Sequence, residues 1–142
     1  MRHATQLPKT QYRRLRTTVL ATAAVMAGLR GLAYIPSVYG ERSAASLTFI
    51  ETWLPLQVWG WVWITGLVFL LASIFVPRLA IPSMSVFVGM NVLWGTSFVM
   101  SWVFLDSPRS WITGSSIIGI AIFAAVLTIL MERPRGVDPE GT

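Results

Sequence analysis

Residues 53–76 read "WLPLQVWGWVWITGLVFLLASIFV" and contain no charged side chain. A soluble amphipathic helix carries charged or polar residues along the face that meets water. A helix of about 20 predominantly apolar residues is instead long enough to cross a hydrocarbon layer of about 30 Å. This stretch therefore predicts a transmembrane helix.

The composition extends this interpretation to the whole chain. Of its 142 residues, 54% are hydrophobic and only 12% are charged, whereas roughly a quarter of the residues in a soluble domain are charged. Three other apolar stretches have a similar length. The sequence predicts an all-α integral membrane protein with a transmembrane domain over residues 17–131, in which four transmembrane helices form an antiparallel bundle with spans at 17–35, 53–76, 81–105 and 111–131.

The distribution of basic residues predicts the orientation of these spans. Five basic residues and no acid precede the first span, whereas the first loop contains one arginine and two glutamates. Cytoplasmic segments of membrane proteins carry an excess of Lys and Arg. Both termini are therefore predicted to be cytoplasmic, with residues 1–16 as a basic tail. Residues 132–142, which are charged and rich in Gly and Pro, are predicted to be a disordered tail.

The first apolar stretch also fits a secretory signal peptide. "TTVLATAAVMA" follows a basic segment and ends in small residues near Ala27, which is the order of such signals. Cleavage would leave three spans and place the two tails on opposite sides of the membrane. That outcome is harder to reconcile with Arg78 in the short "PRLAIP" connection, which the same charge rule places in the cytoplasm.

Few side chains could support catalysis. The chain has one histidine, His3, no cysteine, and three carboxylates outside the C-terminal tail. No phosphate loop, nucleophile elbow or metal-binding helix motif is present. The sequence therefore predicts a protein that is not an enzyme and binds no cofactor or metal. Its pI of about 10.8 reflects basic residues near the membrane surface, so nucleic acid is not expected as a partner.

Polar and small residues within the spans indicate helix association. A coupled transporter usually has an ionisable group in the membrane, whereas here the central spans offer mainly the amide of Asn91, which we expect to bond to a neighbouring helix. Ala24 and Gly28 stand four residues apart, as do Ser115 and Gly119. Such pairs let helices approach closely, either within one bundle or between copies of the chain.

Arg30 interrupts the first span near its predicted outer end. It lies fourteen residues after Arg16, which corresponds to about 21 Å along a helix. A long arginine at this depth can extend its guanidinium to the lipid headgroups. Alternatively it pairs with Glu51, which precedes the second span on the same side. The sequence leaves both alternatives open.

Two phrases, "RGLAYIPSVYG" at 30–40 and "FIETWLPLQVWGWVWITG" at 49–66, together with the basic segment before four spans, carry a family resemblance. The chain resembles the small four-helix membrane proteins encoded beside endolysin genes in phages of actinobacteria.

The resemblance implies a holin-like role. Copies would self-associate in the bacterial cytoplasmic membrane, among its lipids, and permeabilise or depolarise it so that a cell-wall hydrolase can act. It also allows a second small lysis membrane protein as a partner. The alternative is a non-lytic accessory subunit or a small transporter-like membrane protein.

Overall fold

The computed structural model describes residues 9–35, 49 and 53–131, and within them it contains helices and turns but no strand. A 3-10 turn at Pro77–Leu79 joins the second helix to the third. The four α-helices are α1 Lys9–Ala33, α2 Leu56–Phe75, α3 Ala80–Phe104 and α4 Ser110–Met131. The prediction of an all-helical chain is confirmed for these residues.

Three helices of the described part are long and apolar enough to cross a membrane: α2, α3 together with the turn before it, and α4. The length and composition of these three helices suggest a membrane protein. α1 is not among these three. Its 25 residues include five basic ones, four of them at its start and the fifth Arg30. The crossing of the membrane by α1 remains a prediction.

The start of α1 differs from the predicted boundary. The helix begins at Lys9, so the second half of the predicted 1–16 tail is helical. Gln, Leu and Arg favour helices, and residues 9–16 contain no Gly or Pro. Tyr12 donates a hydrogen bond to the Met131 carbonyl, and Arg16 Nη2 donates to the Ile74 carbonyl at 3.2 Å. These bonds satisfy carbonyls at the C-terminal ends of α4 and α2.

The helices form two close hairpins, one of α1 and α2 and the other of α3 and α4. Gly31 faces Gly60, where a Cβ added to either glycine would lie 3.2 Å from the carbonyl oxygen of the other. Gly95 and Gly114 face each other in the same way, at 3.0 and 2.7 Å. The absence of side chains lets the backbones approach at both crossings.

The hairpins pack against each other in antiparallel order along α2 and α3. Trp63, Leu70, Met84 and Trp94 are at most 1% exposed and fill this interface. Large side chains therefore separate α2 from α3, whereas glycine backbones meet within each hairpin. Residues 1–8 of the predicted basic tail and the predicted disordered tail at 132–142 lie outside the described residues.

Candidate functional site

Arg30 lies in the last turn of α1, where a cation is favourable beside the C-terminal carbonyls. It is partly buried. Its Nη1 donates a hydrogen bond of 2.5 Å to Oδ1 of Asn91 in α3. A bond with one charged partner is stronger than a neutral one. The two polar residues that the sequence marks within the spans are thus joined directly, and their bond links one hairpin to the other.

Asn91 is held so that its oxygen faces the guanidinium. The side chain is 0% exposed, and its Nδ2 donates to the Phe87 carbonyl in the preceding turn at 2.8 Å. Because the amide nitrogen is occupied by its own helix, the carbonyl oxygen is left for α1. Asn91 therefore lies in α3 as a preoriented acceptor for Arg30.

The guanidinium also lies over an aromatic ring. Arg30 Cζ is 5.0 Å from the ring centroid of Trp63 in α2, within the distance at which a cation is attracted to an indole face. Trp63 itself is fully buried. Arg30 therefore contacts α2 and α3 at once, and three helices meet at this one side chain.

Aromatic rings continue from Trp63 across the interface. Trp94 Nε1 donates to the Tyr34 hydroxyl at 2.8 Å, and Trp59 meets Trp94 edge-on at 5.3 Å between ring centroids. Trp63 lies edge-on to both Phe87 and Trp94 at 6.4 Å. We call this group the polar–aromatic centre; its members are Arg30, Tyr34, Trp59, Trp63, Phe87, Asn91 and Trp94.

Two indole groups of this centre have no hydrogen-bond acceptor within the described part of the chain. The Nε1 atoms of Trp59 and Trp63 are both buried and unpaired there. A buried tryptophan usually finds an acceptor for this group. The position of these two rings is therefore set by aromatic packing and, for Trp63, by the guanidinium.

An apolar groove of about 430 Å³ lies beside the centre, between the start of α2 and the second half of α3. Trp53, Leu54 and Trp59 line one wall, and Leu93, Ser97 and Met100 line the other. Phe49 also lines it, and its backbone N–H donates to Ser101 Oγ at 2.7 Å. The groove is thus lined by residues of both hairpins and of the loop before α2.

The small residues selected from the sequence have two different environments. Ala24 is 1% exposed, and a Cβ added to Gly28 would lie 3.3 Å from Leu67 of α2, so this pair packs inside the first hairpin. Ser115 and Gly119 are exposed on α4. Nothing lies within 4 Å of a Cβ added to Gly119, so the described chain leaves this face uncovered.

Sequence reasoning selected Arg30 and Asn91 but did not pair them. A usable signal was present: α1 and α3 run in the same direction, and the two residues lie at similar distances from the Arg16 and Arg78 ends of their helices. The predicted partner Glu51 lies outside the described residues, so the ion pair remains a prediction. The glycine crossings at Gly31 and Gly95 were also missed.

No group of three His, Cys, Asp or Glu side chains within the described ranges could hold a metal ion. Comparison with known protein families, curated proteins and solved structures yields no match to this chain.

Proposed function

We propose that the chain is a holin-like protein of the bacterial cytoplasmic membrane. Four helices, α1 included, cross the membrane with both termini in the cytoplasm. Copies self-associate through α4 and depolarise or permeabilise the membrane, which gives a cell-wall hydrolase access to its substrate.

The surroundings of Arg30 support a membrane-spanning α1. An arginine at the centre of a membrane helix costs about 2.5–3.5 kcal/mol on insertion scales. Here Asn91 accepts a hydrogen bond from its guanidinium and Trp63 lies beneath it, and both contacts offset part of that cost. Arg16 and Arg78 gather at the opposite end of the hairpin, as expected for the cytoplasmic side.

The uncovered α4 face is the observation that carries self-association. The neighbouring helix of the same chain fills the space beside Gly95 and Gly114, whereas the space beside Gly119 is open. Ser115 next to it bonds back to the Ile112 carbonyl at 3.0 Å, so its hydroxyl is satisfied without a partner helix. Ser115 and Gly119 are small, and the Ser115 hydroxyl is already bonded within α4, so another helix could approach closely here in lipid.

Gly119→Leu tests this proposal, with Gly89→Leu as the matched control. Gly89 also lies exposed in a helix, and nothing lies within 4 Å of a Cβ added there. We expect Gly119→Leu to reduce cross-linking between copies and to delay the loss of membrane potential by more than it lowers the amount of protein. Gly89→Leu should match the parent in both measurements.

Accumulation of the parent to a high level with the membrane potential intact would reject the permeabilising role. That result would favour the alternative, an accessory subunit of another membrane complex. Equal effects of the Gly89 and Gly119 variants would instead show that association does not depend on this face of α4.

A further inference from the structure

We infer that the Arg30–Asn91 hydrogen bond is a latch between two rigid hairpins, and that its release lets the hairpins part around a hinge at Val76–Leu79. The latch is a property of the fold. Its effect on membrane potential rests on the proposed function.

Each hairpin is held together by a close crossing of its two helices. At Gly31 and Gly60, and again at Gly95 and Gly114, backbone lies against backbone. Such close crossings bring many atoms into contact and leave little room for sliding. Each hairpin is therefore expected to move as a unit.

The boundary between the hairpins is packed differently. α2 and α3 meet there through large rings, such as Trp59 on Trp94, rather than through a glycine crossing. The one charge-assisted hydrogen bond across this boundary in the described part of the molecule joins Arg30 to Asn91. Because hydrocarbon itself offers no acceptor for a guanidinium, release of this bond requires Arg30 to turn toward the lipid headgroups.

The two ends of the boundary between the hairpins differ. At one end, Val76 and the Pro77–Leu79 turn tether α2 to α3, and Tyr12 of α1 bonds to Met131 of α4. At the other end, the 430 Å³ groove lies between the start of α2 and the second half of α3, and the Phe49 N–H donates a hydrogen bond to Ser101 Oγ there. The polar–aromatic centre lies between the tether and the groove. Opening beyond the centre would widen the groove and would also break the Trp94–Tyr34 and Phe49–Ser101 hydrogen bonds.

Distances between spin labels in the full chain test the latch directly. The protein contains no cysteine, so introduced pairs are its only thiols. Val58→Cys with Val103→Cys measures α2 to α3 at the groove end, and Val103→Cys with Ile112→Cys measures α3 to α4 within one hairpin. All three positions are exposed. The labelled chain is placed in vesicles of phosphatidylethanolamine and phosphatidylglycerol.

We expect a single distance for each pair in the parent. Asn91→Leu, which removes the acceptor, should add a longer population to the Val58–Val103 pair and leave the Val103–Ile112 pair unchanged. Asn91→Asp, which keeps an acceptor and adds a negative charge beside Arg30, should retain the single distance. Ser83→Ala is the control, because that buried hydroxyl bonds within α3 to the Ala80 carbonyl.

An unchanged Val58–Val103 distance in Asn91→Leu would overturn the latch, as would equal broadening of both pairs, which would mean general loosening. If Asn91→Leu does not accumulate, Asn91→Ser serves in its place, because serine is already buried in α3 at positions 83 and 101 and is too short to reach Arg30. An unchanged Val58–Val103 distance, or equal broadening of both pairs, in Asn91→Ser would then overturn the latch.

Membrane potential provides a separate readout. We expect Asn91→Leu to bring forward the loss of potential and Asn91→Asp to delay it. A parent that never depolarises the membrane would refute the proposed function while the label distances still decide the latch. If the hairpins part in Asn91→Leu but the membrane potential is lost at the same time as in the parent, the regulatory role of the latch is overturned.

Discussion

Arg30 shows how a single charge is accommodated in an apolar helix without a carboxylate among its described contacts. Its partners are a neutral amide at 2.5 Å and an indole ring at 5.0 Å. A hydrogen bond to a charged group contributes about 1.5–3 kcal/mol, which is comparable to the cost of inserting an arginine at a helix centre, about 2.5–3.5 kcal/mol. Because Arg30 lies in the last turn of α1, near the predicted outer end of the span, its own cost is below that value, and the amide and the ring offset part of it.

Removal of the Asn91 side-chain oxygen should destabilise the folded protein. We expect Asn91→Leu to lower the free energy of unfolding in mild detergent by about 1.5–3 kcal/mol, because the guanidinium then lacks its acceptor. Asn91→Asp should match or exceed the parent. The Ser83→Ala control should lose no more than about 1 kcal/mol. A loss in Asn91→Leu no larger than in the control would contradict this account of Arg30.

If Glu51 is the main partner of Arg30, a different pattern is expected. Arg30→Glu and Glu51→Arg should each reduce the folded protein in the membrane, and the double variant with exchanged charges should recover a good part of it. Because Asn91 and Trp63 both favour a cation at position 30, we expect that recovery to be incomplete. Full recovery would show that the ion pair dominates.

The helices themselves were largely predictable, and the contacts between them were not. The uncharged run at 53–76 predicted α2 because lipid requires an apolar helix of this length. Its start is three residues later than predicted, since Pro55 precedes the first helical residue Leu56. Spacing alone did not show that Gly28 faces Leu67 whereas Gly119 faces outward, because the same small-residue pattern serves both environments.

The glycine crossings give a prediction at the scale of the elements. Gly114→Ala would place a methyl group 2.7 Å from the Gly95 carbonyl oxygen and 2.8 Å from Val99. We expect it to lower the free energy of unfolding by about 1–3 kcal/mol, as overpacking does. Gly89→Ala, with open space around it, should be neutral or stabilise by up to about 1 kcal/mol, since alanine favours helix. Equal stability of the two variants would refute a close α3–α4 crossing.

For the whole molecule, two tight hairpins meet along a boundary of aromatic rings and several hydrogen bonds. The tether at Pro77–Leu79 and the bond from Tyr12 to Met131 hold one end. The groove marks the other end, and Arg30 with Asn91 lies between them. Within each hairpin the glycine crossings fix the packing of the helices, whereas the boundary between the hairpins is where we propose that they part.

Arg30 and Asn91 meet within the bilayer only if α1 crosses the membrane. The decisive measurement is the location of reporters fused after Gly136 and within residues 43–46 of the full chain. The account predicts a cytoplasmic signal from the fusion after Gly136 and an external signal from the fusion in the first loop. An external signal from the fusion after Gly136 would contradict the combination of four spans with a cytoplasmic N-terminus.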